Sequence, residues 1–182
     1  SSRSRNLRTV SRNISSSSVK VGLTLVSALR AKGSHAYDVQ AISILRGHAD
    51  LSIAAQRHCG RVVVTAAINH VSFDHPIKQN SVVTLEAKVT RAFSSSMEIY
   101  VDVFLENPSN GEKTKCNEAI LTFVAIDQNG SPLHVPPITP ETELEKKRFE
   151  GALRRRQLSL VLAGRLKADD ATELKALFVK EG

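Results

Sequence analysis

Hydrophobic residues between positions 61 and 127 alternate with polar ones in blocks of strand length, and turn residues separate the blocks. Blocks rich in Val, Ile, Thr and Phe between such turns are typical of paired β-strands. Four strands are predicted, over about residues 61–73, 81–92, 96–106 and 115–127. Turns are predicted at residues 78–80, 107–111 and 128–130. Because consecutive strands with short connections usually pair, the pattern predicts one antiparallel sheet.

The predicted strand over residues 61–73 is substantially apolar on both of its faces. Strict alternation places Val63, Thr65, Ala67, Asn69 and Val71 on one face. It places Val62, Val64, Ala66 and Ile68 on the other. We therefore expect one face to cover a helix and the other to contact a partner subunit.

A helix is predicted immediately before the sheet, over about residues 39–58. Its apolar residues recur at spacings of three and four, which places them on one stripe of a helix. They are Val39, Ile42, Leu45, Ala49 and Ile53. The pair Cys59-Gly60 is a typical helix stop. One helix followed by a meander of strands predicts an α+β domain whose sheet wraps around the helix.

After residue 137 the chain becomes charged and helical in pattern. Thr139 is predicted to cap a long helix that has Pro140 at its first position. The helix is predicted to run to about Ala163, with Gly164 as its stop. Asp169 is predicted to cap a final short helix over residues 171–178.

These patterns divide the chain into three parts. Residues 1–34 form a basic tail rich in Ser and Arg, with a short helix or strand within residues 19–29. Residues 35–137 form the domain with the sheet, and residues 138–182 form a helical extension. No apolar stretch approaches the roughly 20 residues that a bilayer-spanning helix needs, so no membrane span is predicted.

The net charge of +7 comes entirely from the N-terminal part of the chain. Residues 1–37 contain seven basic residues and no acidic one, whereas the rest of the chain is balanced. A nucleic-acid groove needs its positive charge on the folded surface, so no nucleic-acid partner is predicted. Cysteines are few and irregularly spaced, which favours a reducing compartment. A cytoplasmic location is predicted, with the mitochondrial matrix as the alternative if residues 1–37 are a transit peptide.

Several segments carry a resemblance to one enzyme family. The motifs are IAAQRHCGR at residue 53, TRAFSSSMEI at residue 90, KCNEA at residue 115 and GALRRRQLSLVLAG at residue 151. Together they resemble the hotdog-fold acyl-CoA thioesterases over about residues 53–178. The resemblance implies an α+β hotdog fold, in which an antiparallel sheet wraps around a long central helix.

The same resemblance implies a function and an assembly. Enzymes of this family hydrolyse fatty acyl-CoA to a free fatty acid and coenzyme A, without a metal or a redox cofactor. Two subunits pair edge to edge, with active sites at the dimer interface, and trimers of dimers are common. Acyl-CoA substrate and self-association as a dimer or a trimer of dimers are the partners that this implies.

The expected catalytic motif is altered in this chain. The family carries an Asn followed by a Gly, a Gly-Gly pair and then an Asp, and ungapped counting places that Asp at His48. Asp50 lies two residues further on. Asp50 and His48 are the candidate catalytic bases, because either side chain can take a proton from water. The alternatives are a solvated Asp50, a packed His48 and a catalytically impaired acyl-CoA-binding or assembly subunit of the same fold.

Candidate binding residues for coenzyme A lie in the motif at residue 90. Arg91 and three hydroxyls, those of Ser94, Ser95 and Ser96, fall at one predicted turn. A guanidinium pairs with phosphate oxygens through two parallel hydrogen bonds, as the phosphates of coenzyme A require. The alternative is a polar hairpin with a solvated Arg. The resemblance adds Asn117, beside Glu118, at the neighbouring subunit's site. The histidines lack the spacing of metal ligands, so no metal site is predicted.

Overall fold

A five-stranded antiparallel sheet dominates the computed structural model, which describes residues 21–26, 51–73, 77, 82–107 and 109–178. Its strands are β1 (Val21–Val26), β2 (Val62–Phe73), β3 (Val82–Ala92), β4 (Ser96–Glu106) and β5 (Lys113–Ile126). They lie in the order β1-β3-β4-β5-β2, so β2 is an edge strand. The four predicted strands are confirmed, and the segment within residues 19–29 is a strand.

One face of the sheet forms the hydrophobic core. Its buried residues alternate along three neighbouring strands, as a half-buried sheet requires. They are Val83, Leu85, Ala87 and Val89 of β3, Met97, Ile99, Val101 and Val103 of β4, and Ala119, Leu121, Phe123 and Ala125 of β5. The register aligns them across the strands, with Ile99 opposite both Val89 and Leu121.

The predicted faces of β2 are wrong between its two register shifts, whereas Val71 lies opposite Ala119, on the same face as Val63 and Thr65, as predicted. The β2–β5 ladder shifts register between Thr65 and Ala67, and again between Ile68 and His70. Each shift adds a residue to one strand, which reverses the faces of the residues that follow. Ile68 therefore lies opposite Leu121, a core residue, whereas Ala67 lies opposite Thr122 on the other face.

A helix, α1, is described over residues 51–59. It buries Leu51, Ala54 and Ala55. The predicted stop is confirmed: Gly60 has a φ of 65°, and its N–H donates to the carbonyl of Gln56 at 2.7 Å. Residues 39–50 of the predicted helix lie outside the described residues, as does the predicted turn at residues 78–80.

The chain divides into two compact units, Ser1–Pro137 and Ile138–Gly182. The second unit contains α2 (Glu143–Leu162), a 3₁₀ turn (Ala168–Asp170) and α3 (Thr172–Lys175). Of the helices in the described ranges, none is long and apolar enough to cross a bilayer.

The predicted caps in the second unit are wrong. Thr142 rather than Thr139 caps α2, in a reciprocal capping box with Glu145. Thr142 has an acid three residues later and Thr139 does not, which explains the choice. Asp169 lies within the 3₁₀ turn and pairs with Lys175 at 2.8 Å instead of capping α3. The side chain of Gln157 accepts from the N–H of Leu174 at 2.9 Å, so α2 supplies that cap.

Candidate functional site

The turn between β3 and β4 is held by backbone hydrogen bonds on several sides. The N–H of Phe93 donates to the carbonyl of Ser96 at 2.7 Å, which closes the turn. The carbonyl of Ser95 accepts from Ala125 of β5 at 3.0 Å. The carbonyl of Ser94 accepts from Val135, also at 3.0 Å. These bonds fix the turn relative to β5 and to the segment that follows it.

The structure brings four of the predicted binding residues to this one end of the sheet: Arg91, Ser94, Ser95 and Ser96. The three serines differ in exposure. Ser94 is exposed, Ser95 is half-buried and Ser96 is buried. Solvent therefore reaches the hydroxyl at position 94 most easily.

Arg91 is positioned by an irregularity in β3. The ladder to β4 shifts register between Val89 and Arg91, so that Arg91 lies directly opposite Glu98. Glu98 is only 2% exposed, and its carboxylate accepts a hydrogen bond of 2.7 Å from the hydroxyl of Thr90. The Arg91 guanidinium lies 5.8 Å from the centroid of the Phe93 ring, within the range of a cation–π interaction. The half-buried arginine thus lies beside an aromatic ring, and the residue paired with it on β4 is a buried acid.

Asn117 lies apart from this group within one subunit. It is 1% exposed and pairs in register with Val103 of β4. Val103 is seven residues from Ser96 along β4, or about 23 Å at 3.3 Å per residue. The structure of one chain therefore does not bring Asn117 to the turn.

A charged cluster next to Asn117 lies on the face of the sheet opposite the core. The Nζ of Lys115 lies 2.8 Å from Asp102 and 2.7 Å from Glu118. Burial opposes ionisation of Glu118, but hydrogen bonds from Lys115 and Tyr100 outweigh it and hold its pKa below the ordinary value. Burial likewise opposes the charge on Lys115, and bonds to both carboxylates raise its pKa. Lys115 and Glu118 are therefore both charged near neutral pH.

A contact that the sequence did not reveal joins α1 to the segment after β5. The Nε2 of His58 donates to the carbonyl of Pro136 at 2.8 Å, across 78 residues of sequence. The same segment is held to β5, because the N–H of Leu133 donates to Ala125 at 2.8 Å. A histidine in the last turn of a helix was visible in the sequence, but its partner is a backbone carbonyl that no motif indicates.

The two candidate bases, His48 and Asp50, lie outside the described residues. Within the described part of the chain, no group of three or more His, Cys, Asp or Glu side chains is arranged to hold a metal ion.

A model of the Thioesterase superfamily matches residues 51–112. An uncharacterized acyl-CoA thioester hydrolase of Bacillus subtilis is 48% identical over 52% of this chain and 55% of its own length. The chain thus spans about half the length of that relative. The segment matched by the family model contains α1, β2, β3, β4 and the turn with Arg91.

Solved structures resemble a larger part of the chain. A hexameric acyl-CoA thioesterase is 31% identical, with a TM-score of 0.67, and the match covers 79% of this chain and 92% of that one. The acyl-CoA hydrolase of Staphylococcus aureus, solved with butyryl coenzyme A and coenzyme A, is 34% identical, with a TM-score of 0.58. That match covers 74% of this chain and 82% of the other. Variants of the Staphylococcus enzyme with a threonine, an aspartate or an asparagine changed to alanine have also been characterised.

Proposed function

The chain belongs to the hotdog-fold acyl-CoA thioesterases of the thioesterase superfamily, and we propose that it hydrolyses fatty acyl-CoA to the free fatty acid and coenzyme A. The observation that carries the proposal is its similarity, over 74% of its length, to an acyl-CoA hydrolase that was solved with butyryl coenzyme A. The turn at Arg91 supports the proposal independently, because it offers a cation and hydroxyls at one end of the sheet.

We assign the phosphates of coenzyme A to that turn. The guanidinium of Arg91 already lies 5.8 Å from the centroid of the Phe93 ring, which limits the side-chain freedom that is lost on binding. The exposed hydroxyl of Ser94 and the half-buried hydroxyl of Ser95 supply further hydrogen bonds, whereas Ser96 is buried and closes the turn through its carbonyl. The only cofactor-like molecule that the proposal needs is the coenzyme A portion of the substrate itself.

For the chemical step we propose Asp50 or His48 as the general base. The base takes a proton from water while the water oxygen attacks the thioester carbonyl. The tetrahedral intermediate then expels the thiolate of coenzyme A, which takes that proton back from the base, so that the base is regenerated. Thr65 is a further candidate site residue, whose hydroxyl could hydrogen-bond to the substrate or to the attacking water. The aspartate and the threonine changed in the Staphylococcus enzyme lie 17 residues apart, as His48 and Thr65 do here.

We further propose that the site is completed across a dimer. Asn117 lies too far from Arg91 to act with it inside one chain, so it serves the site of the neighbouring subunit. The edge strand β2 exposes Val62, Val64 and Ile68, at 63%, 43% and 46%. An exposed apolar edge strand is a typical pairing surface, and a dimer or a trimer of dimers would cover it.

The direct test is turnover of palmitoyl-CoA, followed by release of the free thiol. We expect steady-state hydrolysis by the unchanged chain, and loss of it in Asp50→Ala or His48→Ala, whichever residue is the base. Failure to hydrolyse any acyl-CoA while binding coenzyme A would favour the alternative, a catalytically impaired acyl-CoA-binding or assembly subunit. Failure to bind coenzyme A at all would exclude both functions.

The binding assignment is tested in the same assay with Arg91→Gln. Losing a charge-assisted contact to phosphate corresponds to about 1.5–3 kcal/mol, so KM for palmitoyl-CoA should rise roughly tenfold or more. Arg61→Gln is the matched control, because Arg61 is exposed and precedes β2. An unchanged KM in Arg91→Gln would remove Arg91 from the site.

A further inference from the structure

Two consecutive residues after β5 connect the turn at Arg91 to helix α1. The N–H of Val135 donates to Ser94 in the turn at 3.0 Å, and the carbonyl of Pro136 accepts from His58 at 2.8 Å. We propose that His58 is a positioning residue, which acts through Pro136 to hold α1 and the turn at a fixed separation. The proposal rests on the proposed function, in which the turn binds the phosphates of coenzyme A.

Val135 makes this connection short and firm. Its side chain is 1% exposed, so the segment is anchored in the protein interior. Two residues earlier, the N–H of Leu133 donates a hydrogen bond to the carbonyl of Ala125 in β5. A change in the position of Pro136 therefore reaches the turn through a single peptide unit.

The separation matters because the substrate is one covalent molecule. If its phosphates are bound at the turn, the position of its thioester is set by the distance from the turn to the base. In sequence, Asp50 comes one residue and His48 three residues before the first described residue of α1, and His58 lies in the last turn of α1. Since hydrolysis depends steeply on the alignment of the reacting atoms, a loosened α1 lowers the rate of the chemical step.

The turn does not depend on His58 for its own shape. Its closing bond, from Phe93 to Ser96, and its bond to β5, from Ala125 to Ser95, lie within the sheet. Removing the imidazole therefore leaves the binding group intact and changes only its relation to α1. The expected signature is a fall in kcat with little change in the affinity for coenzyme A.

The direction of the contact follows from its acceptor. A carbonyl can only accept, so the Nε2 of His58 carries the hydrogen and donates it to Pro136.

The experiment compares His58→Leu, which removes the donor, with His58→Gln, whose amide nitrogen can replace Nε2. His134→Ala, a change at an exposed histidine of the same segment, is the matched control. For His58→Leu we expect kcat to fall about fivefold to tenfold, the effect of about one hydrogen bond. KM for palmitoyl-CoA and inhibition by free coenzyme A should stay within about twofold, and His58→Gln should recover most of kcat.

Amide hydrogen exchange on the same variants separates this proposal from the proposed function. In His58→Leu we expect faster exchange at Leu133, His134 and Val135 and in the last turn of α1, and unchanged exchange in β3, β4 and β5. That exchange pattern in a chain without turnover would support the link and reject the proposed function. An unchanged kcat, an effect on KM alone, no recovery with Gln, or loss of protection across the whole sheet would each overturn the positioning role.

Discussion

Lys115 is the residue whose contribution to stability follows most directly from its surroundings. Asp102 and Glu118 are opposite each other in the β4–β5 ladder, and like charges in that arrangement repel. The ammonium of Lys115 contacts both carboxylates and neutralises part of that repulsion. Removing Lys115 would therefore leave the two carboxylates to repel each other and would lower the stability of the fold.

We expect Lys115→Met to lower the free energy of unfolding by about 1 kcal/mol at neutral pH. The folded pKa of Glu118 is lowered from 4.5, so its contribution is present above that pH and is lost as pH falls through the folded value. The folded pKa of Lys115 is raised from 10.5, so its contribution is present below that pH and is lost as pH rises through the folded value. The difference between variant and wild type should thus be largest between these two pH values.

Urea unfolding at several pH values measures this difference. Lys146→Met is the matched control, because its ion pair with Glu143 is exposed on both sides and should contribute only a few tenths of a kcal/mol. A Lys115→Met chain as stable as wild type at pH 7, or one whose deficit grows in acid, would contradict the assignment.

At the scale of single residues, the sequence predicted the members of the turn but not their long-range partners. Arg91 and the three serines are neighbours in sequence, so one motif indicates them together. The bond from His58 to Pro136 joins residues 78 positions apart, and neither residue type requires the other. Such contacts depend on how whole elements pack, which local pattern does not encode.

At the scale of elements, the N-terminus of helix α2 allows a direct test, because the sequence predicted Thr139 as its cap and the structure has Thr142 there. Thr142→Ala removes the hydroxyl that accepts from the N–H of Glu145 at 3.2 Å, and should cost about 1 kcal/mol. Thr139→Ala changes the residue that the sequence favoured as the cap and should have almost no effect. The loss of helical circular dichroism with increasing urea measures the stability change in each of the two variants. Equal effects of the two substitutions would reject the capping box as described.

Strand positions were predictable because alternation is a local property, whereas the faces of the β2 residues between its two register shifts were not. Val63, Thr65 and Ala67 continue an unbroken alternation in sequence, yet the ladder shifts before Ala67. A bulge arises from the fit between two strands, so a single strand does not reveal it. Asn69, in the second shifted step, uses its side-chain amide to donate to Thr122 of β5 at 2.7 Å. The inserted Asn69 is thereby fixed to the neighbouring strand.

At the scale of the whole molecule, the exposed edge at β2 leads to a prediction about assembly. Light scattering of the unchanged chain should give the mass of a dimer or a multiple of it. Val64→Glu should reduce that mass, because a buried carboxylate at a paired edge is strongly unfavourable. Leu144→Glu, at a similarly exposed leucine of α2, is the control. A monomeric wild type, or no effect of Val64→Glu, would remove β2 as the pairing edge.

The strand order also has a consequence for the time course of folding. β3, β4 and β5 follow one another through short turns, so their hairpins close over short stretches of chain. β2 precedes them in sequence but pairs with the last of them, with Val62 opposite Ile126. Pairing β2 with β5 closes a longer stretch of chain than either hairpin does and therefore costs more chain entropy. We expect β2 to dock after the three-stranded meander of β3, β4 and β5 has formed. During that interval β5 is an open edge, and a newly made chain is then most vulnerable to aggregation with its neighbours.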